Sequence, residues 1–157
     1  MSARKRKTIN SASNEVTIGK VKCRLDSSET KFMIDWKIDN FLSYTDEEQI
    51  FSKTVFDGRT KRNWKLSIVQ KKDGRKCESY TPWVNLEEYD EVENFFFYYK
   101  MSFLDSEERE YIGRGHDWWG CRDLLRHQDL IDNKDTWIAD SVLHLRCSLH
   151  MWKRRVI

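Results

Sequence analysis

The chain predicts an all-β protein, an antiparallel β-sandwich of seven to eight strands with one short helical turn. Three observations lead there. Apolar residues recur at every second position in several short segments, the period of a half-buried strand. Turn signals such as Asp57-Gly58 and Asp73-Gly74 separate those segments at meander-like spacing. No strands alternate with long amphipathic helices, as a parallel α/β sheet would require. With 157 residues, 39% hydrophobic and 13% aromatic, one globular domain accounts for the chain.

Taken in order, residues 1–30 are rich in Ser, Thr, Lys and Arg and read as a flexible basic arm. Arg4-Lys5-Arg6-Lys7 within it fits a nuclear-import signal or a weak nucleic-acid contact, and Val16 to Leu25 alternates enough to offer an edge strand. The domain itself is expected over 31–152, with a basic tail at 153–157. Phe32, Ile34, Trp36 and Ile38 form its first strand, closed by Asp39-Asn40. After the acidic loop at Asp46, Glu47 and Glu48 a second strand runs from Ile50 to Phe56. Trp64, Leu66 and Ile68 make a third. Tyr80 to Leu86 makes a fourth, which Pro82 assigns to a sheet edge or a bulge. The longest strand spans Val92 to Leu104, with Phe95, Phe97, Tyr99, Met101 and Phe103 on one parity. Leu124, Leu125 and Leu130 suit a helical turn across one end of the sandwich. Leu143, Leu145, Cys147, Leu149 and Met151 define the final strand.

Composition narrows the function. The net charge of +2 from 28 basic and 26 acidic residues favours neither a nucleic-acid nor a membrane partner. No apolar run reaches the roughly 20 residues that span a bilayer, and the N-terminus lacks a secretory block, so a nuclear or cytoplasmic protein is expected. Cys23, Cys77, Cys121 and Cys147 contain no CxxC pair and read as reduced thiols, although two long-range disulfides also fit. A thiol enzyme built on Cys121 with His116 or His127 lacks an orienting third residue. A metal at Cys121 and His127 lacks the four ligands zinc usually takes. Gly113-Arg114-Gly115 lacks the spacing of a phosphate loop. No catalytic residue, cofactor or metal is therefore assigned, and the chain is expected not to be an enzyme. Trp36, Trp64, Trp83 and Trp152 occupy strand or strand-end positions and read as structural rather than sugar-stacking.

The most distinctive stretch is Gly113-Arg114-Gly115-His116-Asp117-Trp118-Trp119-Gly120-Cys121-Arg122-Asp123-Leu124-Leu125, a glycine-punctuated loop with adjacent tryptophans. Neighbouring residues of extended chain point to opposite sides, so one of the two tryptophans is expected to pack inward and the other to face outward. Joined to what precedes it, this loop completes a recognisable order: FMIDWKIDNF, IFSKTVF, NWKLSIVQKKDG, SYTPWVNL, FYYKMSFLD, DWWGCRDLLRHQDL and SVLHLRCSLH. That succession, from about Lys31 to Met151, resembles the meprin-and-TRAF-homology (MATH) domain, most closely that of speckle-type POZ proteins. Its most specific marks are Trp36, Ile38, Asn40 and Phe41 in W-x-I-x-N-F, the N-W-K-L and S-F-L-D strands, and the Trp-Gly loop with its trailing L-L-R.

The resemblance implies a peptide-recognition module for short, extended, Ser/Thr-rich segments of protein substrates. In that family a BTB/POZ domain then recruits a cullin scaffold for ubiquitination, and a cullin ligase would be reached here only through such a domain, which these 157 residues do not contain. A standalone or degenerate member, acting as competitor or scaffold, is the alternative. By the same resemblance Tyr99 falls at a groove phenylalanine, Tyr111 at a groove tyrosine, Trp119-Gly120 at the groove Trp-Gly, and Arg122 at a lysine beside it. Val84 replaces a tyrosine and Cys121 replaces an aromatic, which implies a shallower groove.

Overall fold

A computed structural model describes residues 15–25, 31–44, 46–58, 62–74, 76–87, 95–104, 110–113, 120–121 and 123–153. At 25, 86–87, 95–98, 110–113 and 151–153 it describes the backbone only. Eleven strands occur among these residues: β1 (Val16–Thr17), β2 (Lys20–Leu25), β3 (Lys31–Ile38), β4 (Gln49–Phe51), β5 (Val55–Asp57), β6 (Arg62–Asp73), β7 (Lys76–Glu87), β8 (Phe95–Leu104), β9 (Glu110–Gly113), β10 (Leu125–Arg126) and β11 (Leu143–Lys153). They form two sheets. The first runs β1-β4-β6-β7-β10 with β5 also on β6, and the second runs β2-β3-β11-β8-β9. All pairings are antiparallel except β1 with β4.

Both sheets turn their apolar rows into one core. Phe32, Ile34, Trp36 and Ile38 of β3 lie in register with Leu149, Cys147, Leu145 and Leu143 of β11, and all eight are buried. Met101 and Phe103 of β8 continue that layer opposite Cys147 and Leu145. The first sheet answers with Trp64, Leu66 and Ile68 of β6 and with Tyr80 and Val84 of β7. Phe41, in a 3-10 turn at Phe41–Tyr44, packs edge-on against Tyr80 at 5.2 Å. Leu130 of the short helix α1 (His127–Asp132) is fully buried among these side chains, and a further short helix, α2 (Lys134–Trp137), follows.

The two-sheet, all-β class is therefore as expected, but the strand count and several boundaries differ. Val16 to Leu25 supplies the edge strand that its alternation offers: β2 pairs with β3 over its whole length at the edge of the second sheet, so ordered structure reaches well into the region read as an arm. Its own apolar content is small, and β3 supplies the ladder that stabilises it. The expected second strand is two, β4 and β5, interrupted where Ser52 turns to β6; its Oγ accepts the Leu66 N–H at 2.9 Å. Pro82 is neither in an edge strand nor at the bulge, which falls between Lys71 and Lys72. It faces Ile68 across the β6 ladder, and its carbonyl points the other way. A strand residue's N–H and C=O share a side, so the missing N–H costs β6 no hydrogen bond.

On the outer face of the second sheet, Asp35 accepts a hydrogen bond from Arg146 Nε at 2.7 Å and meets His144 Nε2 at 2.9 Å. Burial by itself would raise the Asp35 carboxyl, but hydrogen bonds from His144 and Arg146, with their charge, outweigh it and hold it at about 2. The folded chain thus favours the carboxylate more than the unfolded chain does. Its contribution is full above about pH 4 and disappears as pH falls towards 2. Urea titrations across this window should show the parent losing about 2 kcal/mol more than Asp35→Asn. Parallel acid limbs in the two proteins would mean that the three side chains are not coupled.

Candidate peptide-binding site

The residues singled out by the resemblance come from four stretches of chain, and the fold brings several of them together. β8 holds Tyr99 opposite Leu149, on the parity of Met101 and Phe103, so its ring packs against the core from a half-buried position. Its hydroxyl donates to the Gly120 carbonyl at 3.1 Å. Burial pushes the phenol up to about 12, the nearby Cys121 adds to this, and the Gly120 hydrogen bond opposes it. Tyr99 is therefore a neutral hydroxyl at any physiological pH, suited to hydrogen bonding and not to acid or base work.

Gly120 is held just as firmly from the other sheet. It bridges to Trp83 of β7, and the next residue, Cys121, donates its N–H to the Pro82 carbonyl at 3.0 Å. A Cβ at Gly120 would stand 2.6 Å from two Trp83 ring carbons and 2.9 Å from the Pro82 oxygen, so only glycine admits this approach. The chain then continues along β7. Asp123 donates its N–H to Thr81 Oγ1 at 2.9 Å and accepts from Ser79 Oγ at 2.6 Å, and β10 pairs Leu125 with Tyr80. Asp123 takes a φ of 53°, a conformation that Asp tolerates better than most residues. The stretch after Trp119 is thereby fastened between β7 and β8, one in each sheet.

Val84 and Cys121 are placed differently from open groove walls. They are 1% and 2% exposed and belong to the core cluster. A larger residue at either position would have to displace core neighbours before it could deepen a surface groove. Tyr111 lies in β9, opposite Phe103 in the ladder. Trp118, Trp119 and Arg122 lie outside the described residues, as do His116 and the assignment of one tryptophan inward and one outward. Trp83, Thr81 and Ser79 were not predicted as site residues. Their positions along one face of β7 are visible in the alternation, but their partner segment, 40 residues on, is not.

Burial pushes the Cys121 thiol up to about 11, against a partly offsetting hydrogen bond with the Met101 backbone. That is the opposite of what a nucleophilic thiolate needs at neutral pH. His127 is occupied elsewhere, with Nδ1 2.6 Å from the Tyr80 hydroxyl. All four cysteines are free, and among the described residues no group of three or more His, Cys, Asp or Glu could hold a metal ion. A polar cleft of about 890 Å³ opens beyond β10, lined by Lys71, Lys76, Cys77, Asp123, Arg126 and His127 among others. No family model matches the chain, and no curated protein matches it.

Proposed function

We propose that this chain is a protein-interaction module of the MATH type, capturing short, extended, Ser/Thr-rich segments of partner proteins as the substrate-recognition part of a cullin-based ubiquitin ligase adaptor. The observation that supports this reading is the meeting of Tyr99 and Gly120 beside β7, where the Trp-Gly loop is tied to both sheets at once. A segment anchored in this way has little conformational freedom left to lose on binding. Among the described residues, the segment from Gly120 to Arg126 lines the β7 edge away from β6 from Ser79 to Trp83, and no described strand pairs with that edge from Val84 to Glu87. An extended peptide gains backbone hydrogen bonds from such an edge, and side-chain pockets supply selectivity.

Trp119 is the anchor in this reading. Its replacement by alanine should weaken binding of a labelled Ser/Thr-rich peptide by about 2 kcal/mol, roughly thirtyfold, with little change in melting temperature. Trp118→Ala should instead lower the melting temperature. Fluorescence anisotropy with a panel of such peptides decides the matter: if the parent binds none of them, the proposed function is lost. If the parent and Trp119→Ala bind alike, the anchor lies elsewhere.

A further inference from the structure

The small net charge of the chain conceals a strongly basic surface. β2 carries Lys20, Lys22 and Arg24 at alternate positions, and their register partners on β3 are Lys37, Asp35 and Met33. Lys31 and Lys37 add two more cations to that face, and β11 adds His144 and Arg146. Asp35 is the one carboxylate among the described outward side chains of β2, β3 and β11, and Arg146 and His144 already engage it. Lys20, Lys22, Arg24 and Lys37 are exposed and Lys31 is half-buried, and none of the five forms an ion pair among the described residues. Lys20 sits directly opposite Lys37, a like-charge pairing that costs the sheet stability. Lysines on an edge strand also discourage aggregation, which accounts for β2. It does not account for Lys31 and Lys37, one strand further in.

A second feature lies at the end of the same face. Lys20, Lys37 and His144 border a cleft of about 330 Å³ together with the half-buried Trp137 and the carboxylates of Asp39 and Asp140. We propose that this face binds single-stranded nucleic acid, with phosphates on the cations of β2 and β3 and a base in the cleft at Trp137. An indole beside cations is the pairing that single strands use, stacking for the base and charge for the backbone. The two carboxylates repel phosphate from the cleft and accept hydrogen bonds from base N–H donors, the uracil N3–H among them. A lipid surface fits less well, because it rewards exposed apolar side chains as well as charge. The exposed large hydrophobic residue among those described, Phe56, lies on β5 in the other sheet.

The test is anisotropy of a fluorescein-labelled oligouridine of about 16 nucleotides, titrated with the full chain between about 50 and 200 mM salt. With five cations engaged, affinity should fall with a log-log slope of roughly −3.5. The exposed triple variant Lys20→Glu, Lys22→Glu, Arg24→Glu should reduce that slope to roughly −1.4 and weaken binding tenfold or more, at about 100 mM salt, with an unchanged thermal melt. Trp137→Leu should weaken binding about tenfold at an unchanged slope, because stacking releases no counterions. Should Trp137→Leu lose its fold, the triple variant decides by itself. Neutralising Arg4, Lys5, Arg6 and Lys7 to alanine should leave most of the slope in place. The proposal is overturned if that arm variant abolishes binding while the triple variant does not. It is equally overturned if phosphatidylserine vesicles or polyglutamate bind as tightly as oligouridine with the same dependence on Lys20, Lys22 and Arg24.

Discussion

Trp36→Ala is expected to lower the unfolding free energy by about 3–5 kcal/mol, the range for emptying a large aromatic site in a packed core. Trp36 is fully buried, flanked in register by Val21 of β2 and Leu145 of β11. Its indole also makes a bond that most core residues lack: Nε1 donates to the Ile18 carbonyl at 3.0 Å. Ile18 in turn donates its N–H to the Phe51 carbonyl of β4 at 2.9 Å, so this one residue ties the indole of the second sheet to the first. The close approach requires Gly19, with a φ of +79°, since a Cβ there would stand 2.6 Å from both Trp36 Nε1 and the Lys37 oxygen. Alanine at 36 therefore opens a cavity and also frees the turn between β1 and β2. Trp36→Phe restores most of the volume without the N–H, and should recover most of the loss while leaving a deficit of about 1 kcal/mol. Denaturant titration of the three proteins measures both steps. A cost below about 1 kcal/mol for Trp36→Ala would show that the β1–β2 segment and the core are not joined through this side chain.

The second large effect is expected at Gly120. Gly120→Val places atoms inside the Trp83 ring and against the Pro82 carbonyl, and overpacking of this kind costs about 1–3 kcal/mol or more. The Pro82 oxygen is backbone in a paired strand and cannot withdraw, whereas the Trp83 side chain can be cut back. Trp83→Ala should consequently recover part of the loss in the Gly120→Val background, a coupling that a double-mutant cycle isolates. Peptide affinity should fall in Gly120→Val even at temperatures where the protein stays folded, because the strap from Tyr99 to Pro82 runs through Gly120 and Cys121, which belong to the site in the proposed function. If stability falls without any coupling to Trp83, the clash has been relieved by moving the loop, and the bridge at Trp83 is not its support.

The core strands were legible because alternation is a local signal. Phe32 to Ile38 and Leu143 to Met151 announce a buried face every second residue, and the ladders pair those very rows. The helical turn expected from Leu124, Leu125 and Leu130 was legible only in part: Leu130 lies in α1, but Leu125 pairs with Tyr80 as part of β10 and Leu124 belongs to neither, because the β7 ladder captures that end of the segment. What alternation cannot say is which strands become neighbours or what covers a given face. Val16 to Leu25 lay within the stretch read as an arm and offered an edge strand by a short alternation alone, because its few apolar residues gain a ladder only from β3. Val84 and Cys121 looked like groove residues by resemblance, yet their burial depends on rows from the opposite sheet. The hydrogen bond from Tyr99 to Gly120 and the basic face shared by β2 and β3 exist only once distant segments are packed side by side. The sequence by itself determined the period of each element and hence the all-β class, since period is a property of consecutive residues. Only the tertiary structure decided the neighbours, the strap across the two sheets and the segregation of charge, because contact energies between distant segments set those and no local pattern encodes them.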